Sequence, residues 1–257
     1  MSFTVIIPAR FESSRLPGKP LMEINGRPMI AWTWMQAKKS GAERVVIATE
    51  CEQVQAVCEG FGAEVCLTSD QHQSGTERIA EVVTQLGLSE NDIIVNVQGD
   101  EPMLPPALIH QVAAGLESHP HTLMATLCEP IEDVETVFDP HAVKVIRDCQ
   151  NFALNFTRAP MPWSRDTFGA ESKTLPDNWA YKRHIGLYAY RAGFVKRYVE
   201  WPECDLEQVE KLEQLRVLWH GERILVLDAE CDAGVGVDTE ADLVRVRAKM
   251  ASAVFEA

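Results

Sequence analysis

The sequence predicts an α/β protein, with a mostly parallel sheet flanked by helices and an antiparallel region inserted into it. Strand-like runs at Thr4–Ile7, Arg44–Ala48, Glu64–Leu67, Ile93–Val97 and Leu123–Leu127 alternate with helical patterns, a rhythm that joins parallel strands through right-handed crossovers. The early helices carry start and stop residues, Pro28 ahead of one and glycines behind two. From about residue 130 the alternation gives way to short strands without helices between them, which reads as a meander beside the parallel sheet.

In chain order, Phe3-Thr4-Val5-Ile6-Ile7-Pro8 is a short apolar run suited to a buried strand. Met29–Lys39 follows Pro28, shows one apolar face and stops near Ser40-Gly41. Cys51–Phe61 stops near Gly62, Thr76–Leu86 begins after Ser74-Gly75, and Pro106–Leu116 precedes the fifth strand. Val143–Arg147, Ala153–Phe156 and His184–Tyr190 read as strands of the meander, and Arg158–Asp177 as an irregular Pro-containing stretch. Helices return at Gly193–Val199 and Asp205–Trp219, followed by a strand at Arg223–Asp228 and a last helix at Glu240–Val254.

The composition narrows the function. A formal net charge of −14 over 257 residues argues against nucleic-acid binding, which needs an excess of Lys and Arg to neutralise phosphates. No run approaches the roughly 18 apolar residues of a membrane span, and the N-terminus enters a strand without a leader pattern, so a cytoplasmic protein is expected. The seven cysteines are dispersed without a Cys-x-x-Cys pair, which predicts reduced, mostly buried thiols. His119-Pro-His121 is loop-like and no zinc spacing occurs. No linker or repeat divides the chain, so a single domain over residues 1–257 is expected.

Against this acidic background, the loop from Ala9 to Lys19 stands out. It carries Arg10, Arg15 and Lys19 around one acid, Glu12, at the carboxyl end of the first strand, where ligands of open α/β sheets bind. Exposed backbone N–H groups with fixed cations suit a triphosphate. Asp100, in Asn96-Val97-Gln98-Gly99-Asp100-Glu101-Pro102, follows the fourth strand on the same rim. A carboxylate there, facing a cationic loop, makes a minimal Mg²⁺–nucleotide site. Alone, Ser74-Gly75-Thr76-Glu77 reads as a helix cap, Asp238 as an acidic cap of the last helix, His184 as a satisfied strand residue, and Glu213-Gln214 as an exposed helix face. The chain lacks Gly-x-Gly-x-x-Gly after its first strand, a Walker loop and Gly-x-Ser-x-Gly, which removes support for dehydrogenase, ATPase and α/β-hydrolase readings.

Pro8-Ala9-Arg10, Ser13-Ser14-Arg15-Leu16-Pro17-Gly18-Lys19-Pro20, Ser74-Gly75-Thr76-Glu77-Arg78, Asn96 to Pro102, Arg183-His184-Ile185-Gly186-Leu187-Tyr188, Leu212-Glu213-Gln214-Leu215-Arg216 and Gly236-Val237-Asp238-Thr239 occur in this order. Together, over residues 2–248, they resemble the 3-deoxy-D-manno-octulosonate (Kdo) cytidylyltransferases, or CMP-Kdo synthetases. The resemblance implies a nucleotide-diphospho-sugar transferase fold. Within it, the nucleotide-binding part reaches about residue 130, an inserted sugar-binding and dimerisation region covers about 131–200, and the main domain resumes over 201–257. It implies transfer of CMP from CTP to Kdo with release of pyrophosphate, for lipopolysaccharide synthesis, by a homodimer.

By the same resemblance, Ala9, Arg10, Arg15 and Lys19 hold the triphosphate, and Ser74, Gly75, Arg78 and Gln98 surround the cytosine and ribose. Asp100 and Asp238 hold Mg²⁺ as metal ligands, with Lys19, Arg15, Asp100 and Asp238 as the catalytic set. Arg158, His184, Tyr188, Glu210, Glu213 and Gln214 recognise the sugar, with Arg158 taken as a donor fork for its carboxylate. Trp163, Phe168 and Trp179 are expected to offer an apolar subunit interface. Asn155-Phe156-Thr157-Arg158 and Asp139-Pro140-His141 depart from the family's common Tyr-Phe-Ser-Arg and Asn-Pro-Asn. The alternatives are therefore transfer to 8-amino-Kdo or another 2-keto sugar acid, and, in a different class, a non-catalytic nucleotide-sugar binding protein. A glycosyltransferase is weaker still, because Gly99-Asp100-Glu101-Pro102 contains no Asp-x-Asp.

Overall fold

The computed structural model describes residues 1–12, 16–169 and 173–252. Strand β1 (Phe3–Pro8) leads, past a short ribbon of β2 (Glu23–Ile24) and β3 (Arg27–Pro28), into α1 (Met29–Lys39) and β4 (Arg44–Thr49). Next come α2 (Glu52–Gly60), β5 (Glu64–Leu67), α3 (Gly75–Gln85), β6 (Ile93–Asn96), α4 (Pro106–Glu117) and β7 (Met124–Pro130). The insertion holds α5 (Val134–Phe138), β8 (Lys144–Arg147), β9 (Ala153–Thr157) and the long β10 (Lys182–Arg191). The chain closes with α6 (Ala192–Tyr198), α7 (Asp205–Glu210), α8 (Gln214–Trp219), β11 (Ile224–Asp228) and α9 (Glu240–Ser252).

The main sheet runs β11-β7-β10-β6-β1-β4-β5, with β8 and β9 branching from β10. Strand β1 lies parallel between β4 and β6, with Val5 opposite both Val45 and Val95. Both of its faces are covered: Phe3, Val5 and Ile7 join a core under α1, α2 and α4, whereas Ile6 joins one under α3, α6 and α8. A strand buried on two faces needs apolar residues at every position, which is why its sequence reads as a run rather than an alternation. Truncating a side chain such as Ile7 to Ala there costs about 2–5 kcal/mol.

Two expectations change. The last strand of the insertion does not lie beside the parallel sheet. Strand β10 sits inside it, antiparallel to β6 on one side and β7 on the other, because Leu187, Ala189 and Tyr190 are apolar enough to be buried there. Its pairing with β7 slips between Ile185 and Tyr188. The expected helix Asp205–Trp219 is broken at Lys211, whose left-handed backbone (φ 53°, ψ 48°) separates α7 from α8. The expected end of the last helix beyond Ser252 lies outside the described residues.

All seven cysteines are free; Cys58, Cys128 and Cys204 are buried, while Cys149 and Cys231 are exposed. Phe168 is buried among Ile131, Val137 and Tyr181, so it is interior packing rather than part of an apolar surface. Trp163 and Trp179 are exposed. No helix among the described residues is long and apolar enough to cross a membrane.

Candidate active site

The carboxyl ends of β1 and β6 bring two loops together. Gly99 permits the approach: a Cβ there would come within 3.0 Å of the Pro8 carbonyl, so any side chain would push the loops apart. A third segment arrives from the far end of the chain, where the Val237 N–H donates to the Asp100 carbonyl at 2.9 Å. That bond sets Asp238 beside Asp100. Lys19 joins them, its Nζ 2.5 Å from Asp100 Oδ2 and 3.4 Å from Asp238 Oδ1.

These residues line a polar cavity of about 400 Å³ together with Ala9, Arg10, Glu12, Ser74, Gly75 and Gln98. The described part of the loop presents side-chain cations, and four of its N–H groups are already engaged within the protein. The N–H groups of Ala9, Phe11, Gly18 and Lys19 already bond Ala48 O, Glu50 Oε1, Phe11 O and Leu16 O. Arg10 donates through Nη2 to the His72 carbonyl at 2.8 Å. Arg15 lies outside the described residues. Ser74 caps α3, its Oγ accepting from the Glu77 N–H at 3.1 Å. The helix N-terminus therefore opens onto the cavity, where it favours negative charge.

Arg78 does not line this cavity. It is 1% exposed, with its guanidinium behind the wall against Glu50 and Thr68. Its expected contact with the nucleotide is thus replaced by an internal ion pair. The spacing explains the difference, since Arg78 lies four residues past the cap, one turn back from the helix end.

A second cavity of about 320 Å³ shares Gly75, Gln98 and Glu213 with the first. Tyr188, Tyr190, Tyr198, Asn96, Thr76, Gln214 and the apolar Met124, Phe194 and Val217 also line it. Past the break at Lys211, Gln214 is buried whereas Glu213 stays exposed on the lining that the two cavities share, so only Gln214 departs from the expected exposed helix face. Thr76 Oγ1 donates to Glu213 Oε2 at 2.8 Å, and burial raises the Glu213 pKa above the ordinary carboxylate range. Gln214 Nε2 is buried without a hydrogen-bond partner, an unmet donor that a hydroxylated ligand can satisfy.

Asn96, Tyr190 and Tyr198 were missed by sequence reasoning. Tyr190 lies two positions from Tyr188, which was singled out there, and so shares its face of β10, and Asn96 ends β6 two residues before Gln98. Tyr198 carries no comparable sequence signal.

Burial also raises the Tyr188 pKa. His184 lies 5.3 Å from Tyr188, ring to ring, and Thr126 Oγ1 is 3.0 Å from its Nε2. Burial pushes His184 down to about 3, so the ring is neutral at physiological pH. It opens onto a smaller cavity of about 160 Å³, shared with Gln98, Glu101 and Gly186. Burial, reinforced by the charges of Asp100 and Asp238, pushes Glu101 up to about 8.

Arg158 and Glu210 are not brought to these cavities. Arg158 donates to the carbonyls of Glu210 (2.7 Å) and Pro140 (2.8 Å), while the Glu210 carboxylate accepts from Thr157 Oγ1 and the Arg158 N–H. The two residues strap α7 to the insertion, and the fork expected to hold a sugar carboxylate is spent on backbone carbonyls.

Among the described residues no group of three or more His, Cys, Asp or Glu side chains could hold a metal ion. Asp100 and Asp238 offer two hard oxygen donors beside a cationic pocket, a set that suits Mg²⁺ when phosphate oxygens supply further ligands.

A mostly parallel sheet with a cationic loop facing paired carboxylates defines a nucleotidyltransferase frame, and residues 4–224 match the cytidylyltransferase family. The chain belongs to that family, and within it to the 3-deoxy-manno-octulosonate cytidylyltransferases. It is 81% identical over 252 residues to 3-deoxy-manno-octulosonate cytidylyltransferase 1 of Hydrogenovibrio crunogenus, covering 98% of this chain and 97% of the relative. It is 57% identical over 246 residues to the 3-deoxy-manno-octulosonate cytidylyltransferase of Pseudomonas fluorescens, covering 96% and 97%. A solved structure of CMP:2-keto-3-deoxy-manno-octonic acid synthetase complexed with CTP matches with a TM-score of 0.88 at 38% identity, over 97% of this chain and 98% of that one. The 4-diphosphocytidyl-2C-methyl-D-erythritol synthase of Anaerococcus prevotii, at a TM-score of 0.62 and 11% identity over 97% and 99%, shares the fold.

Proposed function

We infer that the protein transfers CMP from CTP to the anomeric C2 hydroxyl of Kdo, giving CMP-Kdo and pyrophosphate for lipopolysaccharide synthesis. The observation that carries this reading is the convergence of Lys19, Asp100 and Asp238 at the junction with a second, tyrosine-lined cavity. One chamber is built for phosphates and the other for a hydroxylated ring.

Arg10 and Lys19 hold the triphosphate and neutralise charge that builds on the departing pyrophosphate. Arg15 is assigned with them by its place in the loop motif. Gln98 stands between the two chambers and orients the nucleotide against the acceptor. Asp100 and Asp238 would hold Mg²⁺, which when bound would polarise the α-phosphate and favour ionisation of the sugar hydroxyl. Tyr188, Glu213 and Gln214 bind the sugar hydroxyls. Neutral His184 adds a hydrogen-bonding edge without charge.

Further parts of the reading are a single cytidylyltransferase domain, a cytoplasmic location and a homodimer. Exposed apolar side chains, among them Leu154, Leu206, Val209, Trp163 and Trp179, support the dimer, because a partner subunit would remove them from water. In solution the chain should run at twice its monomer mass by light scattering.

The direct test is pyrophosphate release from CTP. Release is expected with Kdo and Mg²⁺ together, is lost with excess EDTA, and falls sharply when sialic acid replaces Kdo. A panel including 8-amino-Kdo sets the preferred acceptor. Wild-type protein that releases no pyrophosphate with Kdo and Mg²⁺ overturns the reading.

A further inference from the structure

The buried Arg78–Glu50 pair is absent from the chemistry above, yet it connects to Arg10 and Lys19, the two described cations of the phosphate site. Arg78 Nη2 lies 2.9 Å from Glu50 Oε2, and Nη1 donates to Thr68 Oγ1. The pair is poorly hydrogen-bonded, since neither Arg78 Nε nor Glu50 Oε2 has a hydrogen-bond partner. Buried pairs of this kind add little net stability, because desolvation offsets their attraction.

The pair does have a defined backbone target. Glu50 Oε1 accepts from the Phe11 N–H at 2.9 Å, and Phe11 directly follows Arg10. The Phe11 carbonyl in turn accepts from the Gly18 N–H at 3.0 Å, which closes the loop one residue before Lys19. One carboxylate thereby holds the point from which the chain departs to Arg10 on one side and, across the loop's neck, to Lys19 on the other. Arg78 holds that carboxylate in place from behind.

We propose that Glu50 and Arg78 are positioning residues for triphosphate binding: the buried pair fixes the Phe11 backbone, and through it the spacing of Arg10 and Lys19. The proposal rests on the assignment of those two cations to CTP. Neither Glu50 nor Arg78 touches substrate, so their loss weakens CTP binding and leaves sugar binding alone.

The test replaces both charges together, so that no unpaired buried charge remains. Glu50→Leu/Arg78→Met removes the acceptor for the Phe11 N–H, whereas Glu50→Gln/Arg78→Met keeps an oxygen there. KM for CTP should rise about tenfold in the leucine variant and return to within about threefold of wild type in the glutamine variant. KM for Kdo should stay within about twofold in both. Arg78→Lys, which retains the charge but loses the fork, guards against a leucine variant that does not fold. Its KM for CTP should rise about threefold with KM for Kdo unchanged. The proposal is overturned if KM for CTP is unchanged in the folded leucine variant or in Arg78→Lys, or if both KM values rise together. Inactive wild-type protein would instead defeat the functional reading, a result distinct from any variant's.

Discussion

The two chambers of the site are built in opposite ways. The phosphate chamber is assembled from loops at strand ends, and its working groups are charged and partly exposed: the side chain of Asp100 is 32% exposed and that of Asp238 62%. The tyrosine chamber is assembled from side chains in the sheet and in a broken helix, and most of its groups are neutral and at least half-buried. Charge that must meet a triphosphate and a metal can stay near water, where it costs little to maintain. Hydroxyl recognition needs donors and acceptors held dry and in place, where an unmet partner is costly. Variants in the first chamber should therefore strike turnover, and variants in the second should strike sugar affinity or pH-dependent stability.

The largest effect is expected at the rim. Asp100→Asn and Asp238→Asn should each lower kcat by about 10²–10³-fold, the scale of losing one group that stabilises transition-state charge. Thermal melting should move by only a few degrees, as is usual for exposed positions. Near-normal turnover in both variants would remove the paired-carboxylate site.

Across the junction, Gln214→Ala should raise KM for Kdo by about tenfold, the scale of one hydrogen bond to a buried partner, and leave KM for CTP unchanged. A larger effect on CTP would place the sugar elsewhere.

Stability against pH separates the chambers further. Because burial raises the Glu213 pKa, the folded protein holds that proton more tightly than the unfolded chain. The stabilisation is complete below the ordinary value of 4.5 and is lost as pH rises through the folded value. Glu213→Gln cannot ionise, so it should melt above wild type at pH 8, with the gap closing toward pH 4.5. Equal melting temperatures across that range would contradict a raised pKa at Glu213.

His184 has the opposite sign, and its effect is confined to acid pH. Its folded pKa of about 3 against an ordinary 6.5 gives stability that is complete above 6.5 and lost as pH falls toward 3. His184→Phe should give a shallower fall of melting temperature over that interval. An unchanged slope would mean that the ring is hydrated.

The same division governs what could be read before the fold was known. The alternation from Thr4 to Leu127 announced the parallel sheet, because strands buried on both faces need continuous apolar runs. Asp100 was legible because it follows such a run at a sheet rim, and Lys19 because three cations in one loop contrast with a net charge of −14. Arg78 misled for a local reason: its neighbours Ser74 and Gly75 line the cavity, but a helix turn carries position 78 behind them. Arg158 misled because a donor fork suits backbone carbonyls as well as a carboxylate.

Composition and pattern thus pointed to the class of fold, the cationic loop and Asp100, since strand ends and local charge are properties of short segments. Only the tertiary structure decided that β10 enters the sheet between β6 and β7, and that the helix breaks at Lys211, beyond which Gln214 is buried. It also decided that Asp238 docks beside Asp100 through a backbone bond from Val237. These outcomes depend on contacts between segments far apart in sequence, where burial and hydrogen-bond completion across the whole core outweigh local preference.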